Sequence, residues 1–345
     1  MGLRAAIGDL HLSGFESDTL DLNNLPYRLG LIMKTLDFII SECRSRSINQ
    51  IDILGDIIND KSIIYTVAQD EFKDFLSRNS DIEFRIISGN HDLSSTGALQ
   101  KSAISVFDGL ANVQCISDFP LVIDNITYVP YSSDFLSELA TIEPNDILIS
   151  HLGINEAHVQ SGLSRIDKIR MGDLSKKFKL ALLGHYHAPQ YLHNGDIEIY
   201  YAGNICHLSW NDKNEKKRFL IYDPGTLKVE SIPITGFREY REFIIENIDD
   251  KDDILRQLEV AENEGHVIRL KNKSGEKLTN SISENVMVID IEDVDITNRG
   301  IEITQSRADQ LQKYLEIKQI PENEHQEYLD VISKYDLVST ASEVS

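Results

Sequence analysis

The sequence has no run near the roughly 20 consecutive apolar residues that a bilayer-spanning helix needs, which excludes an integral helical membrane protein on pattern alone. A cleavable signal is not expected either. Met1-Gly2-Leu3-Arg4-Ala5-Ala6-Ile7-Gly8-Asp9 runs directly into what reads as a buried first strand, so the chain is expected in the cytoplasm and off the membrane. Gly2 stands where an acyl chain attaches, but the apolar residues after it read better as that strand. Cysteine is scarce. Cys43, Cys115 and Cys206 are too few and too widely spaced for a disulfide framework or a zinc pattern, and they read as buried thiols. Without a secretory signal, the sequons at Asn125 and Asn272 have no consequence. Basic residues are outnumbered, 34 Lys and Arg against 56 Asp and Glu, and the net charge of -22 excludes nucleic-acid binding through an overall basic surface. The deficit is uneven: from residue 241 onward 24 acidic residues face 12 basic ones, so -12 of the total lies there. Internal repeats, low-complexity tracts and a Walker-type Gly-rich loop are all missing.

What remains is an ordinary globular composition, 41% apolar, 8% aromatic and 26% charged, in 345 residues, which is long for one core and predicts two domains. Short Ile-, Val- and Leu-rich runs predict strands at 3–7, 51–54, 84–87, 147–150 and 180–183. Between them Ile32, Met33, Leu36, Ile39, Ile40 and Cys43 recur at helical spacing, as do Val67, Phe72, Phe75 and Leu76, so the pattern is α/β with helices over the sheet faces. From Pro189 to Ile234 turn signals at His193-Asn194-Gly195-Asp196 and Asp223-Pro224-Gly225 predict hairpins, and with them a second, more antiparallel sheet. A boundary falls near Gly236. Beyond it come a helix over 252–260, strands over 267–270 and 286–291, and two amphipathic helices over 307–317 and 322–335 joined at Pro321. The apolar stripe of that pair is open to burial against its own domain or against a partner. Three basic clusters, Lys176-Lys177-Lys179, Lys213-Lys216-Lys217-Arg218 and Arg269-Lys271-Lys273-Lys277, read as solvated charged faces.

Chemistry concentrates at five strand ends, where open α/β sheets place their ligand sites: Asp9-Leu10-His11, Gly55-Asp56, Gly89-Asn90-His91-Asp92, His151 and Gly184-His185-Tyr186-His187. Residues two apart on an extended chain project to the same side, so Asp-x-His and His-x-His each form a chelating pair. Two metal ions about 3.5–4 Å apart stabilise both the attacking and the leaving oxygen of a phosphate ester. A carboxylate with two oxygens suits a bridging position, which Asp56 would fill. Nitrogen and oxygen donors without thiolate favour manganese, iron or zinc in a reactive site over a structural zinc site.

This ordered set resembles the calcineurin-like metallophosphoesterase superfamily over about residues 3–234, and within it the SbcD-type nuclease subunit of DNA repair and bacteriophage recombination. Gly89-Asn90-His91-Asp92, the Tyr201-Ala202-Gly203-Asn204 segment, and the 218–233 hairpin region carry the narrower likeness, with Asn59 standing where that branch usually has Asp and Asn204 where it often has Ser. The resemblance implies a four-layer α/β/β/α sandwich over 1–236, a small α+β capping domain over 237–300, and C-terminal helices over 301–345 that bind a partner ATPase. It implies one ion held by Asp9, His11, Asp56 and His187 and a second held by Asp56, Asn90, His151 and His185. His91 would face the substrate as proton donor to the leaving oxygen, oriented by Asp92. The implied activity is a metal-dependent exo- or endodeoxyribonuclease using two divalent ions, manganese first and magnesium second. It would act on DNA with an SMC-like ATPase as a homodimer within a heterotetramer, with Arg269, Lys271 and Lys273 as a local DNA contact. The other enzyme reading is a stand-alone phosphodiesterase or phosphatase acting on nucleotides or phosphoproteins.

Overall fold

The structure is a computed structural model that describes residues 2–14, 20–21, 24–61, 63–94, 101–158, 167–275, 278, 286–290, 315 and 325. The chain divides into two compact units, Met1–Glu242 with Leu258–Ile268, and Phe243–Gln257 with Arg269–Ser345.

In the first unit, β1 (Arg4–Ile7) is buried at all four positions because it lies inside a sheet covered on both faces, which is why a continuous small-apolar run encodes it. It is followed by α1 (Tyr27–Ser45), β2 (Gln50–Ile53), α2 (Thr66–Arg78), β3 (Glu83–Ile87) and β4 (Val113–Ile116), and the four strands pair in parallel. Helix α1 opens after Pro26 and buries Leu29, Ile32, Met33, Leu36, Ile39, Ile40 and Cys43 along one stripe. Each fully buried Ile or Leu of that stripe contributes about 1.5–3 kcal/mol relative to exposure. The helix stops where Ser47 turns left-handed (φ 58°) and Ile48 N–H bonds back to the Cys43 carbonyl at 2.8 Å.

The chain then builds a second sheet from β5 (Leu121–Ile123), β6 (Ile126–Val129), α3 (Phe135–Thr141), β7 (Ile147–His151), α4 (Met171–Leu174), β8 (Leu180–Gly184), β9 (Gln190–His193) and β10 (Glu198–Tyr201), in the order β5-β6-β7-β8-β10-β9. It returns to the first sheet through β11 (Arg218–Tyr222) and β12 (Val229–Pro233), giving the order β12-β11-β1-β2-β3-β4. One apolar cluster seats α1 and α2 on the first sheet, a second seats α3 and α4 on the other, and a third, with Ala6, Ile87, Ile149, Leu182 and Leu220, fills the space between the sheets. The layers are therefore α/β/β/α.

The predicted hairpins exist, but they do not make an antiparallel sheet. The β9–β10 pair finishes the edge of a sheet whose interior, β6 to β8 and β10, is parallel, whereas β11–β12 is added to the other sheet beside β1. Strands β4, β5 and β6 were not predicted. The β5–β6 turn is Asp124-Asn125 with both φ positive (50° and 62°), the two-residue geometry that suits a hairpin.

The remaining elements are β13 (Tyr240–Ile245), α5 (Lys251–Asn263), β14 (Val267–Asn272) and β15 (Val286–Asp290), with the strands ordered β13-β14-β15. The helices expected over 307–317 and 322–335 lie outside the described residues apart from Leu315 and His325. No helix of the described chain is long and apolar enough to cross a membrane.

Candidate metal centre

Beyond their last ladder positions β1 and β2 continue side by side. Asp9 N–H donates to the Gly55 carbonyl at 3.1 Å, His11 N–H to Asp56 at 2.9 Å, Leu12 N–H to Ile57 at 2.7 Å and Asn59 N–H to Leu12 at 3.1 Å. These bonds hold two loops in conformations that side chains resist: φ is 54° at Asp9, 49° at His11 and 51° at Asp56, and across the cleft 97° at His185. Such backbone costs about 1 kcal/mol or more per residue and persists only where surrounding contacts enforce it, as they do at ligand clamps. Close approach also demands glycine. A Cβ on Gly89 would collide with the Asp56 carboxylate, and one on Gly184 would collide with the Leu54 carbonyl and lie 2.8 Å from His151 Nδ1.

The strand ends bring the side chains together. Asp9, His11 and His187 form one group whose ligand atoms lie within 4.8 Å of one another, Asp9, Asp56 and His151 form a second, and His11, Asp56 and His91 a third. On the other side of Asp56 the contacts run on without a gap: Asp56 Oδ2 to His151 Nε2 at 3.3 Å, His151 Nε2 to Asn90 Oδ1 at 3.1 Å, and Asn90 Oδ1 to His185 Nδ1 at 2.9 Å. Asp56 thus stands between two sets of donors. Two tautomers follow from the partners, because a carbonyl can only accept. His151 Nδ1–H donates to the Leu54 carbonyl at 2.8 Å and His91 Nδ1–H to the Asn59 carbonyl at 2.7 Å, so each ring turns Nε2 toward the centre. Both His151 to Leu54 and His185 N–H to Asp9 Oδ1, at 3.0 Å, bridge from one sheet to the other.

Electrostatics and burial show what this arrangement is suited to hold. Burial pushes the Asp9 carboxyl up against the pull of His151 and His187, and it pushes the His11 imidazole down to about 3 against the attraction of Asp56. At Asp56 burial works upward too, but His151, His11 and His91 outweigh it and hold the carboxyl below its ordinary range. His151 loses to burial and gains more from Asp56 and Asp9, ending near 9. Asp9 Oδ2 and His11 Nε2 are buried with no hydrogen-bond partner. Buried polar atoms of this kind call for a partner, and a divalent cation supplies one to a carboxylate oxygen and an imidazole nitrogen at once. The donor set therefore fits metal ions; the division expected from the sequence would give Asp9, His11, Asp56 and His187 to one and Asp56, Asn90, His151 and His185 to the other.

Asp92 differs from its expected role. Its carboxylate is buried and accepts from the backbone N–H groups of Ile57 and Ile58, each at 2.9 Å, and of Gly89 at 2.8 Å, so it braces the Asp56 loop and does not orient His91. The group set against His91 is the Asn59 carbonyl, a backbone atom for which no side-chain pattern gives a signal. Lys217 and Arg218 are also not a solvated face. Lys217 is fully buried, with Nζ donating to Asp212 at 2.8 Å, Glu215 at 2.5 Å and the His187 carbonyl at 3.2 Å, and Arg218 donates to the carbonyls of Gln190 at 2.8 Å and Tyr201 at 3.0 Å. Lys177 likewise donates to the Leu139 and Ile142 carbonyls at the end of α3. Arg269, Lys271 and Lys273 belong to the second unit, where they alternate along and just past β14 and so share a face, with Lys273 paired to Glu246 at 2.8 Å.

The model of the calcineurin-like phosphoesterase family matches residues 4–189, more than half of the chain and all nine of the motif residues from Asp9 to His187. Among curated proteins none matches the sequence. Similar solved structures include a dimetal phosphatase from Danio rerio, 12% identical over 68% of this chain and 99% of that one with a TM-score of 0.41. An archaeal phosphodiesterase is 14% identical over 67% and 99% with a TM-score of 0.38. The nuclease MPE of Pseudomonas putida is 15% identical over 66% and 87% with a TM-score of 0.32.

Proposed function

The chain belongs to the calcineurin-like phosphoesterase family, and from that premise we propose that it is a DNA nuclease, hydrolysing phosphodiester bonds with two divalent ions, manganese first, and working with an SMC-like ATPase in end processing or recombination. Phosphoester hydrolysis with a dinuclear metal site is the chemistry of the family. The observation that carries the reading for this chain is the convergence of side chains from five strand ends, Asp9, His11, Asp56, His151 and His187 in overlapping groups with Asn90 and His185 continuing from His151, and with Asp9 Oδ2 and His11 Nε2 buried there without a hydrogen-bond partner. Support for DNA as substrate comes from the sequence likeness to the nuclease branch at Gly89-Asn90-His91-Asp92 and in the 218–233 hairpin. The acidic remainder of the surface means that DNA is gripped locally, with Arg269, Lys271 and Lys273 as the first contact and residues 301–345 as the ATPase-binding segment.

When bound, a pair of divalent ions supplies Lewis-acid stabilisation of the phosphoryl oxygens and lowers the pKa of water. The protein does the rest. Asp56 ties the two donor sets together, and its Oδ1 is fixed by the His91 N–H at 2.8 Å. The Asn59 carbonyl holds His91 Nδ1–H and so directs Nε2 outward; with the ring protonated on both nitrogens, Nε2–H is the proton passed to the departing oxygen, and the ring is left as the neutral Nδ1–H form. Asp92 keeps the Asp56 loop closed from behind.

The test is direct. The purified protein with manganese is offered linear double-stranded DNA, bis(p-nitrophenyl) phosphate and mononucleotides in parallel, with metal content measured on each variant. His91→Ser is expected to keep its metal and lose about a hundredfold or more in turnover, whereas Asp56→Ala loses metal. Turnover of mononucleotides alone would remove DNA from the reading and leave a nucleotide phosphatase; equal activity in both variants would overturn the assigned roles.

A further inference from the structure

Beside His185 the surface opens into a cleft of about 320 Å³, lined among others by Tyr131, Ser132, Phe135, Leu152, Lys168 and Ile169. None of these residues belongs to the metal set. Tyr131 follows β6, and its N–H donates to the Ser88 carbonyl at 2.8 Å, which anchors it to the end of β3 where Gly89-Asn90-His91 begins. Its half-buried ring lies nearly parallel to that of His185, with centroids 6.5 Å apart and planes at 29°, and meets His151 edge-on at 6.3 Å. An aromatic wall therefore begins where the metal ligands end. Phe135 and Leu152 are buried beneath, and Ser132, Ser133, Asp134 and Lys168 add donors and acceptors to the lining.

The volume sits at the lower end of the range for small-molecule sites, enough for a ring system and too little for stacked base pairs. A flat aromatic wall, an apolar floor and a lining of hydrogen-bonding groups together match one kind of group, a heteroaromatic base with a polar edge. We propose that this cleft holds the unstacked nucleobase of the nucleotide whose phosphate lies at the metal centre, with Tyr131 as the stacking platform. The proposal rests on the nucleolytic reading and deepens it: the substrate would be engaged as a single unpaired nucleotide at the site, frayed or melted from its duplex. Stacking on an aromatic side chain tolerates any base, so the subsite would favour nucleotides over other esters without reading sequence.

The experiment uses the full chain loaded with manganese and measures binding by calorimetry, so that it does not depend on turnover. The probes are thymidine 5′-phosphorothioate and thiophosphate alone. The wild-type protein is expected to bind the nucleotide more tightly than thiophosphate. Tyr131→Ala should weaken the nucleotide by at least about fivefold and leave thiophosphate binding and metal content unchanged, while Tyr131→Phe keeps wild-type affinity for both. Loss of affinity for both probes in Tyr131→Ala would make the ring a prop for His185 and overturn the proposal. So would wild-type binding that does not distinguish the probes, a result that needs no variant. Hydrolysis of bis(p-nitrophenyl) phosphate, measured separately, reports on phosphodiester cleavage itself and stands or falls without the subsite.

Discussion

Single residues at the centre are held in protonation states that differ from their ordinary ones, and in opposite directions. Burial, reinforced by Asp56, pushes Asp92 up to about 7, so between its ordinary value near 3.8 and 7 the folded chain binds more protons than the unfolded one and stability falls as pH rises. His11, pushed by burial down to about 3, does the reverse: between 3 and 6.5 the unfolded chain binds more protons, and stability rises with pH. These two slopes oppose each other below pH 6.5. Above it the last part of the Asp92 contribution and that of His151 remain, both falling as pH rises. Burial lowers the His151 pKa, but Asp56 and Asp9 more than offset that and bring it to about 9, so its contribution is present below 6.5 and is lost as pH climbs to 9. Chelator-treated protein is thus expected to show a lower urea midpoint at pH 9 than at pH 6.5. Metal loading, which favours neutral imidazole and ionised carboxylate, should flatten the difference. A metal-free midpoint that holds steady or rises over this interval would contradict the assigned balance.

At the scale of loops and strands, His187 is set by what lies behind it. Its carbonyl accepts from Asn204 N–H and from Lys217 Nζ, both at 3.2 Å, and Lys217 is neutralised by Asp212 and Glu215. Lys217→Met would leave the Asp212 carboxylate buried without its cation, which costs about 3–5 kcal/mol, and adding Asp212→Leu should return part of the loss. Denaturant unfolding of the single and double variants checks this; additive losses would show that the two side chains act independently. The same elements mark how far sequence reading reaches. The ligands were legible because period-two spacing at the end of an apolar run has few other uses, as at Asp9 and His11. Lys217 was not, since a lysine among charged neighbours looks like surface until Asp212 and Glu215 are folded around it. Strands β4 and β5 escaped because Gln114, Leu121 and Val122 are exposed and β5 has only three residues, leaving no buried periodicity to read. The β11–β12 hairpin was legible as a hairpin, but its choice of sheet depends on pairing with β1 across more than 200 residues, and no local pattern encodes that.

Across the whole catalytic unit the two sheets are joined by more than apolar contact. Tyr128 on the second sheet reaches into a buried polar group on the first: its hydroxyl donates to Asp52 Oδ1 at 2.7 Å and accepts from Arg4 and Arg85, each at 3.2 Å. Tyr222 donates to the other Asp52 oxygen at 2.6 Å, and Asp124 accepts from both arginines at 2.7 and 2.6 Å. Two guanidinium groups meet Asp52 and Asp124 across the gap, with Glu83 also paired to Arg85 at 3.2 Å, and burial pushes the Asp52 carboxyl up even so. Apart from Asp124 in the β5–β6 turn, the network lies on the strands themselves, whereas the metal ligands stand at or beyond the strand ends, so it bears on how the sheets face one another without touching the chemistry. Register between the sheets matters because the centre takes Asp9, His11, Asp56, Asn90 and His91 from one and His151, His185 and His187 from the other. Tyr222→Phe removes one donor from Asp52 and is expected to cost about 1–3 kcal/mol. Tyr128→Phe strips a donor from Asp52 and an acceptor from two arginines at once, so it should cost more, by about 1 kcal/mol or above. Urea unfolding ranks the two. If Tyr128→Phe also lowers metal affinity while Tyr222→Phe does not, the Tyr128 bond is what sets the spacing of the ligands; if the two variants are equal in both measurements, Tyr128 is only another buried hydroxyl and the sheets are aligned without it.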